Sequence, residues 1–252
     1  MEHVFDVAAL LTPPDVSKCK KALCVQPHPD DNEIGMGGIV SFLAKEGCEV
    51  AYLTMTSGNR GNNDKTATPE ETAAQRRKET EAAGRCLGAT DFYYLDYDDG
   101  SLSDVVGLAK EVAAVIRRVR PDVVFCPDPW LSYECHWDHV ITGYAVSNAY
   151  VMCGLTLLEL PGGRGPWQPA AIAYYYTSNP NTVIDITGEF GKKFEAIALH
   201  KSQIDEQTLA LYKIYFKMKG EELAQGKGFA IGEGLKVLGK LHTHCFVDAY
   251  KI

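Results

Sequence analysis

Apolar runs of strand length alternate with helix-period segments through the first half of the chain, and this alternation is the feature that most limits its fold. The strand-like runs are KALCVQ (21–26), EVAYLTMT (49–56), FYYL (92–95) and DVVFCP (122–127). The helical segments between them are 37–45, 68–87 and 102–120. Strands joined through helices in this way form a mostly parallel sheet with helices on both faces. The sequence therefore predicts a Rossmann-like α/β fold.

The second half of the chain has a less regular pattern. Beyond a helix at 138–153 and a loop rich in Gly and Pro, the predicted elements are strand 171–177, strand 182–187, helix 190–202 and helix 206–224. The tail KLHTHCFVDAY (240–250) is predicted as a final strand. Because there is no internal repeat and no convincing linker, we expect one domain over 1–252. In it, residues of about 20–150 carry the motifs and 151–252 complete the sheet and the pocket.

Composition limits the class of partner. The formal net charge of −8 argues against a nucleic-acid partner or an anionic membrane reached through a broad basic field. No run reaches the roughly 18 consecutive apolar residues of a membrane span. The first residues lack the basic region and cleavage site of a signal peptide. The 8 cysteines are scattered without CxxC spacing, which is typical of reduced thiols. We therefore expect a cytoplasmic protein.

A cluster of polar residues directly follows the first predicted strand, in PHPDDNEIGMGG (27–38). It places His28, Asp30 and Asp31 within four positions. Taken alone, the cluster fits an ordinary turn in which Asp30 or Asp31 caps the next helix. However, ligands of open α/β sheets bind outside the carboxyl ends of the strands, which is where this segment lies.

A second cluster, HWDH (136–139), follows the fourth predicted strand. The two clusters together contain three of the seven histidines of the chain. Imidazole nitrogen and carboxylate oxygen suit Zn²⁺, and a catalytic zinc uses three protein ligands with one open position. The clusters contain more groups than three ligands require. The surplus is what hydrolysis needs, a base for water and a donor for the oxyanion.

These segments resemble the PIG-L/LmbE-like zinc-dependent N-deacetylases. The resemblance includes PHPDD, GMGG and HWDH, and also RRKETEAAGRCLGA (76–89) and LDYDDGSL (95–102), and it covers much of residues 20–140. It implies a hydrolase that removes an N-acetyl group from an N-acetylglucosamine-type amino sugar or its conjugate. It also implies Zn²⁺ as the cofactor, with other divalent metals as alternatives, a small-molecule amino-sugar substrate, and a homo-oligomer as a possible assembly.

Carried over residue by residue, the resemblance implies three zinc ligands, namely His28, Asp31 and His139. Asp30 would be the general base that deprotonates water. His136 would stabilise the tetrahedral oxyanion, and Asp138 would orient or polarise a histidine. The implied substrate contacts are Arg76, which is easily confused with its neighbour Arg77, and Asp99.

The chain departs from the family pattern after the second strand and within the second cluster. Asn59, with Arg60 behind it, stands where the family often has an acidic residue. An amide can hydrogen-bond a hydroxyl group, but it supplies no carboxylate to a sugar. Trp137 stands where Pro is frequent, and its ring lines the pocket or packs. Tyr133 is a candidate extra oxyanion donor, and a packing role fits it equally.

The tail contributes His242 and His244 at alternating spacing. On a strand both side chains would face one side, which suits either a metal or an exposed strand edge. Some members of the family bring a C-terminal histidine to the substrate pocket. We therefore keep His244 as a candidate substrate contact.

Three other functions compete with this interpretation. GMGG after a strand suggests a dinucleotide site, but Val40 occupies the position of the third glycine of G-x-G-x-x-G. A metal-dependent amidase or esterase acting on a non-sugar or larger acyl substrate would use the same groups. A non-catalytic metal- or sugar-binding module would leave Asp30 without a purpose.

Overall fold

The computed structural model describes residues 12–162 and 164–252, and one sheet runs through them. Its strands are β1 (Lys21–Gln26), β2 (Glu49–Thr56), β3 (Asp91–Tyr97), β4 (Val123–Pro127), β5 (Ala171–Tyr175), β6 (Thr182–Asp185) and β7 (Gly232–Gly239). The helices of the described residues are α1 (Asp31–Lys45), α2 (Pro69–Leu87), α3 (Val105–Val119), α4 (Trp137–Met152), α5 (Phe190–Ile197) and α6 (Glu206–Leu223).

The strands lie in the order β3-β2-β1-β4-β5-β7-β6. Strands β1 to β5 pair in parallel, with Leu23 of β1 opposite Ala51 of β2 and Val124 of β4. Strand β7 runs antiparallel to both of its neighbours. The predicted mostly parallel α/β sheet is confirmed. Because the strand order reverses between β1 and β4, a crevice opens at their carboxyl ends.

The central strands are buried on both faces by two helical layers. On β1, Ala22 and Cys24 join the core that includes α1, α2 and α5, whereas Leu23 and Val25 join the core that includes α3 and α4. All four are fully buried. A parallel strand covered on both faces has no polar side, which is why KALCVQ appears in the sequence as a continuous apolar run.

Helix α1 begins at Asp31 rather than at the predicted residue 37, and it is kinked at Met36 (φ −149°, ψ 28°). The predicted helix is the part beyond the kink. Its first turn was missed because that turn buries Asp31, Asn32 and Glu33 instead of apolar residues. Two glycines let α1 approach the sheet: a Cβ would lie 2.5 Å from Tyr175 Cδ2 at Gly35 and 2.6 Å from Ile186 Cδ1 at Gly38.

The C-terminal segment corrects the sequence prediction. Residues 240–250 do not form the predicted strand; they form turns that lead into a short 3₁₀-helix (Ala249–Lys251). The last strand is β7, GEGLKVLG, which was missed because glycines weaken a strand pattern. His242 and His244 therefore do not share one side of a strand. Among the described residues, no helix is both long and apolar enough to cross a bilayer.

Candidate active site

The two polar clusters meet at the carboxyl ends of β1 and β4. His28 follows β1, and His136 and His139 lie at the start of α4. The ring centroid of His28 lies 4.4 Å from that of His136 and 5.3 Å from that of His139. The centroids of His136 and His139 are 5.2 Å apart. The crevice at the reversal of strand order thus gathers three imidazoles.

Carboxylates surround these rings. Nδ1 of His28 lies 3.3 Å from Oδ2 of Asp31. Nε2 of His28 lies 3.1 Å from Oδ2 of Asp138 and 3.2 Å from Oδ1 of Asp99. The second oxygen of Asp31, Oδ1, lies 3.4 Å from Nε2 of His139. Asp31 therefore bridges the two clusters that the sequence places far apart.

The donor set fits a divalent cation. Ligand atoms lie within 4.8 Å of one another in two groups, which are His28 with His136 and His139, and His28 with Asp99 and Asp138. The ligand set implied by the resemblance is linked by the Asp31 contacts of 3.3 and 3.4 Å. Asp31 itself belongs to neither group, and its two contacts use different carboxylate oxygens, Oδ2 toward His28 and Oδ1 toward His139.

Asp30 lies between the cluster of histidines and carboxylates described above and Arg76. Its backbone has φ +124°, a conformation that is strained for a residue with a side chain, and its side chain makes no capping hydrogen bond to α1. Asp30 therefore occupies the N-cap position of α1, but its side chain does not cap the helix. Arg76 of α2 donates from Nη2 to Asp30 Oδ2 at 3.4 Å and to the carbonyl of Pro29 at 2.8 Å, and from Nη1 to the carbonyl of Gly58 at 3.0 Å.

The surroundings shift the pKa values of the neighbouring residues Asp30 and Asp31 in opposite directions. Burial raises the pKa of Asp30 to about 6, and Arg76 opposes this shift. Burial also acts to raise the pKa of Asp31, but the charges of His139 and His28 hold it well below its usual range. A carboxyl group with a pKa near neutrality suits proton transfer at neutral pH.

The surroundings also shift the pKa values of His28 and His136 in opposite directions. Burial alone would lower the pKa of His28, but the carboxylates of Asp138, Asp31 and Asp99 raise it to about 11. Burial and the neighbouring His28 and His139 lower the pKa of His136. The centre thus combines an anionic pocket around His28 with a half-exposed imidazole that favours its neutral form.

The loop after β3 holds the remaining carboxylates in place. Asp138 accepts backbone hydrogen bonds from Gly100 at 2.7 Å and Leu102 at 3.2 Å. Asn59 accepts from the backbone N–H of Asp99 at 3.0 Å and donates to Asp98 at 2.8 Å. Asn59 therefore supports the loop that carries Asp99.

Not every predicted site residue lies inside the centre. The structure brings together His28, Asp30, Asp31, Arg76, Asp99, His136, Asp138 and His139. Arg60 is exposed, with Nη2 3.9 Å from Oδ2 of Asp98. Tyr133 is 98% exposed, and His244 is exposed in the C-terminal turns. The catalytic, metal-binding and substrate roles predicted for all of these residues, and for Asn59, remain predictions.

Two residues of the centre were missed in the sequence. Tyr176, directly after β5, donates from its hydroxyl to the carbonyl of Asp31 at 3.3 Å, and its ring stacks on His139 at 6.0 Å. Glu134 lies with Oε2 3.4 Å from Nδ1 of His139 and accepts from the backbone N–H of His136 at 2.7 Å. The strand-end rule that located His28 would also have located Tyr176, because β5 ends at the same edge.

Known proteins share this arrangement of sequence and fold. The family model PIG-L, described as GlcNAc-PI de-N-acetylase, matches residues 23–150. The diacetylchitobiose deacetylase of Thermococcus kodakarensis is 36% identical over 237 residues, covering 89% of this chain and 88% of that protein. A probable N-acetyl-alpha-D-glucosaminyl L-malate deacetylase 2 of Bacillus cereus is 28% identical, covering 81% of this chain and 92% of that protein.

A solved structure extends the similarity to the whole fold. The N,N'-diacetylchitobiose deacetylase from Pyrococcus horikoshii superposes with a TM-score of 0.87 at 36% identity, covering 93% of this chain and 90% of that chain. The residues matched by the family model include both clusters that form the centre. The chain therefore belongs to the PIG-L family.

Proposed function

We propose that this protein is a metal-dependent N-deacetylase that hydrolyses the N-acetyl amide of an amino sugar or amino-sugar conjugate, releasing acetate and the free amine. The observation that carries the proposal is the position of Asp30, whose carboxyl group has a pKa of about 6 and lies beside a His/Asp cluster at the crevice. The similarity to diacetylchitobiose and glucosaminyl malate deacetylases supports an amino-sugar substrate.

His28, Asp31 and His139 would hold the metal ion, with Zn²⁺ as the expected ion. When bound, Zn²⁺ supplies Lewis-acid chemistry, polarising a carbonyl oxygen and making water more acidic. The bridging position of Asp31, 3.3 Å from His28 and 3.4 Å from His139, supports this ligand set. Asp138 would orient His28, since its carboxylate is itself held by two backbone N–H groups.

Asp30 would accept the proton of the attacking water at its carboxylate oxygen. Arg76 keeps that carboxylate oriented, because two backbone carbonyls fix the guanidinium group in turn. His136, with Nε2 3.7 Å from Oδ1 of Asp99, would donate a hydrogen bond to the acetyl oxygen as negative charge develops on it. Asp99 is placed to accept a hydrogen bond from a sugar hydroxyl group.

An acetate-release screen of zinc-loaded protein tests this function. The panel is N-acetylglucosamine, N,N'-diacetylchitobiose, N-acetylglucosaminyl malate and N-acetylglucosaminyl inositol, with an N-acetyl amino acid and an aryl acetate ester as non-sugar controls. We expect equal amounts of acetate and free amine from at least one sugar and much less from the controls. If the zinc-loaded protein releases no acetate from any of the sugars, or hydrolyses a non-sugar control faster than every sugar, the proposal is contradicted. The cytoplasmic location and the homo-oligomer stay predictions.

A further inference from the structure

The kink in α1 separates the turn that carries Asp31 from the rest of the helix. In an uninterrupted α-helix the N–H of Gly38 would donate to the carbonyl of Ile34. Met36 leaves the helical region at φ −149°; Met36 and the residues that follow it are buried, and Ile34 and Gly35 before it are partly buried. Backbone groups at such a break need partners from elsewhere in the protein, because an unpaired buried polar group is costly.

One buried ion pair provides these partners on both sides of the break. Nζ of Lys193, on α5, donates to the carbonyl of Ile34 at 2.7 Å and to Oε1 of Glu233 at 2.6 Å. Glu233, on β7, accepts from the backbone N–H groups of Gly38 at 3.3 Å and Ile39 at 2.8 Å. Lys193 is 1% exposed and Glu233 is 8% exposed.

The charges suit these positions. The part of α1 beyond the kink has its own N-terminus, where free N–H groups and the helix dipole favour a negative charge. Glu233 supplies that charge, and the buried Lys193 neutralises it. Gly37 leaves room for the lysine, since a Cβ there would lie 3.2 Å from Lys193 Cγ.

The contacts continue from the ion pair to the active site. The carbonyl of Ile34 accepts from Lys193, and the N–H of Ile34 donates to the carbonyl of Asp30 at 3.0 Å. Asp31, which directly follows Asp30 in the chain, bridges His28 and His139. Lys193 and Glu233 both lie outside residues 23–150, the part matched by the family model.

We propose that Lys193 and Glu233 are positioning residues of the metal centre. By holding the two sides of the α1 kink, they place the Asp31 carboxylate between His28 and His139, and so raise the affinity for the metal ion. This inference rests on the proposed metal ligands but not on the identity of the sugar.

The test uses Lys193→Met, which keeps most of the unbranched side chain but removes its donor and charge. We expect the zinc dissociation constant, measured by competition with a chromophoric chelator, to rise about tenfold or more, as for other residues that orient ligands. In acetate release we expect kcat to fall more than KM rises. The chelator assay needs no substrate, so it stays informative if no sugar in the panel is hydrolysed.

Arg117→Met is the matched control. Arg117 is 3% exposed and also donates to backbone carbonyls, those of Cys153, Leu155 and Leu158, but it belongs to the opposite helical layer. We expect this variant to lower the melting temperature of the metal-free protein without changing the zinc dissociation constant. If Lys193→Met lowers the melting temperature and binds zinc as tightly as Arg117→Met, the positioning role is overturned.

The double variant Lys193→Met/Glu233→Gln separates positioning from stability, and it replaces the single variant if that one does not fold. It removes the buried unpaired charge, so we expect the melting temperature of the metal-free protein to recover toward that of the wild type. Zinc affinity should stay weak, because the lysine donor to Ile34 is still absent. Recovery of zinc affinity to the wild-type value would overturn the proposal.

Discussion

Histidines lie close together in two regions of this protein, the candidate active site and the C-terminal turns. Only in the first region do they form a centre with carboxylates. In the candidate active site, both ring nitrogens of His28 face carboxylates at 3.1–3.3 Å, and His136 and His139 lie beside it. In the C-terminal turns, Nδ1 of His242 accepts the backbone N–H of Gly239 at 2.8 Å, and His244 is exposed. The difference comes from position, because the first set lies at the ends of neighbouring parallel strands, where side chains from distant parts of the chain converge.

Replacement of the proposed base should have the largest effect on catalysis. We expect Asp30→Asn to lower kcat by about 100- to 10,000-fold, the range of general-base contributions, because an amide cannot accept the proton of water. Zinc content, measured by atomic absorption, should stay stoichiometric. Wild-type turnover in this variant would remove Asp30 from the mechanism.

Removal of a proposed ligand should act on the metal first. We expect His139→Ala to weaken zinc binding by more than about 100-fold, since even residues that only orient ligands cost about 10- to 100-fold. Activity should fall in parallel and recover in part at high zinc concentration. Unchanged affinity in the chelator assay would exclude His139 from the ligand set.

His242, the buried histidine of the C-terminal turns, provides the comparison with His139. His242→Ala leaves the N–H of Gly239 without its acceptor, so we expect a loss of about 1–2 kcal/mol in the free energy of unfolding. Denaturation in urea measures this loss. Zinc affinity should stay at the wild-type value, and a loss of zinc would show that the two regions do not differ as described.

The exposed histidine should give the smallest change. If His244 contacts substrate only weakly, His244→Ala should raise KM for the preferred sugar modestly and leave kcat and zinc content unchanged. Steady-state acetate release measures both constants. A large fall in kcat would place His244 in the catalytic centre and erase the contrast between the two regions.

Much of the fold and of the centre could be predicted from local sequence patterns. KALCVQ and DVVFCP are buried on both faces, so their apolar runs are continuous and easily recognised. The clusters that follow them converge because parallel strands end at one edge. Strand β7 was not predicted, because its glycines remove the side-chain pattern on which such a prediction depends.

Apart from Glu134, the residues that the sequence did not reveal join distant elements of the chain. Tyr176, Lys193 and Glu233 each complete a contact with α1 or the turn before it from the second half of the chain. No short motif surrounds them, because their partners on α1 are backbone groups more than a hundred residues away. The position of Tyr176 at the end of β5 could have been used to locate it, whereas the contacts of Lys193 and Glu233 become visible only when α5 and β7 are packed against α1.

The sequence by itself determined the alternation of strands and helices and the chemical character of the centre, because periodicity and residue type are local properties. Tertiary structure decided which of two adjacent residues faces the centre. Arg76 is buried against Asp30, whereas the adjacent Arg77 turns outward to pair with Asp96. Consecutive residues on a helix point about 100° apart, so the packing of α2 against the loops after β1 and β2 buries Arg76 and leaves Arg77 outside.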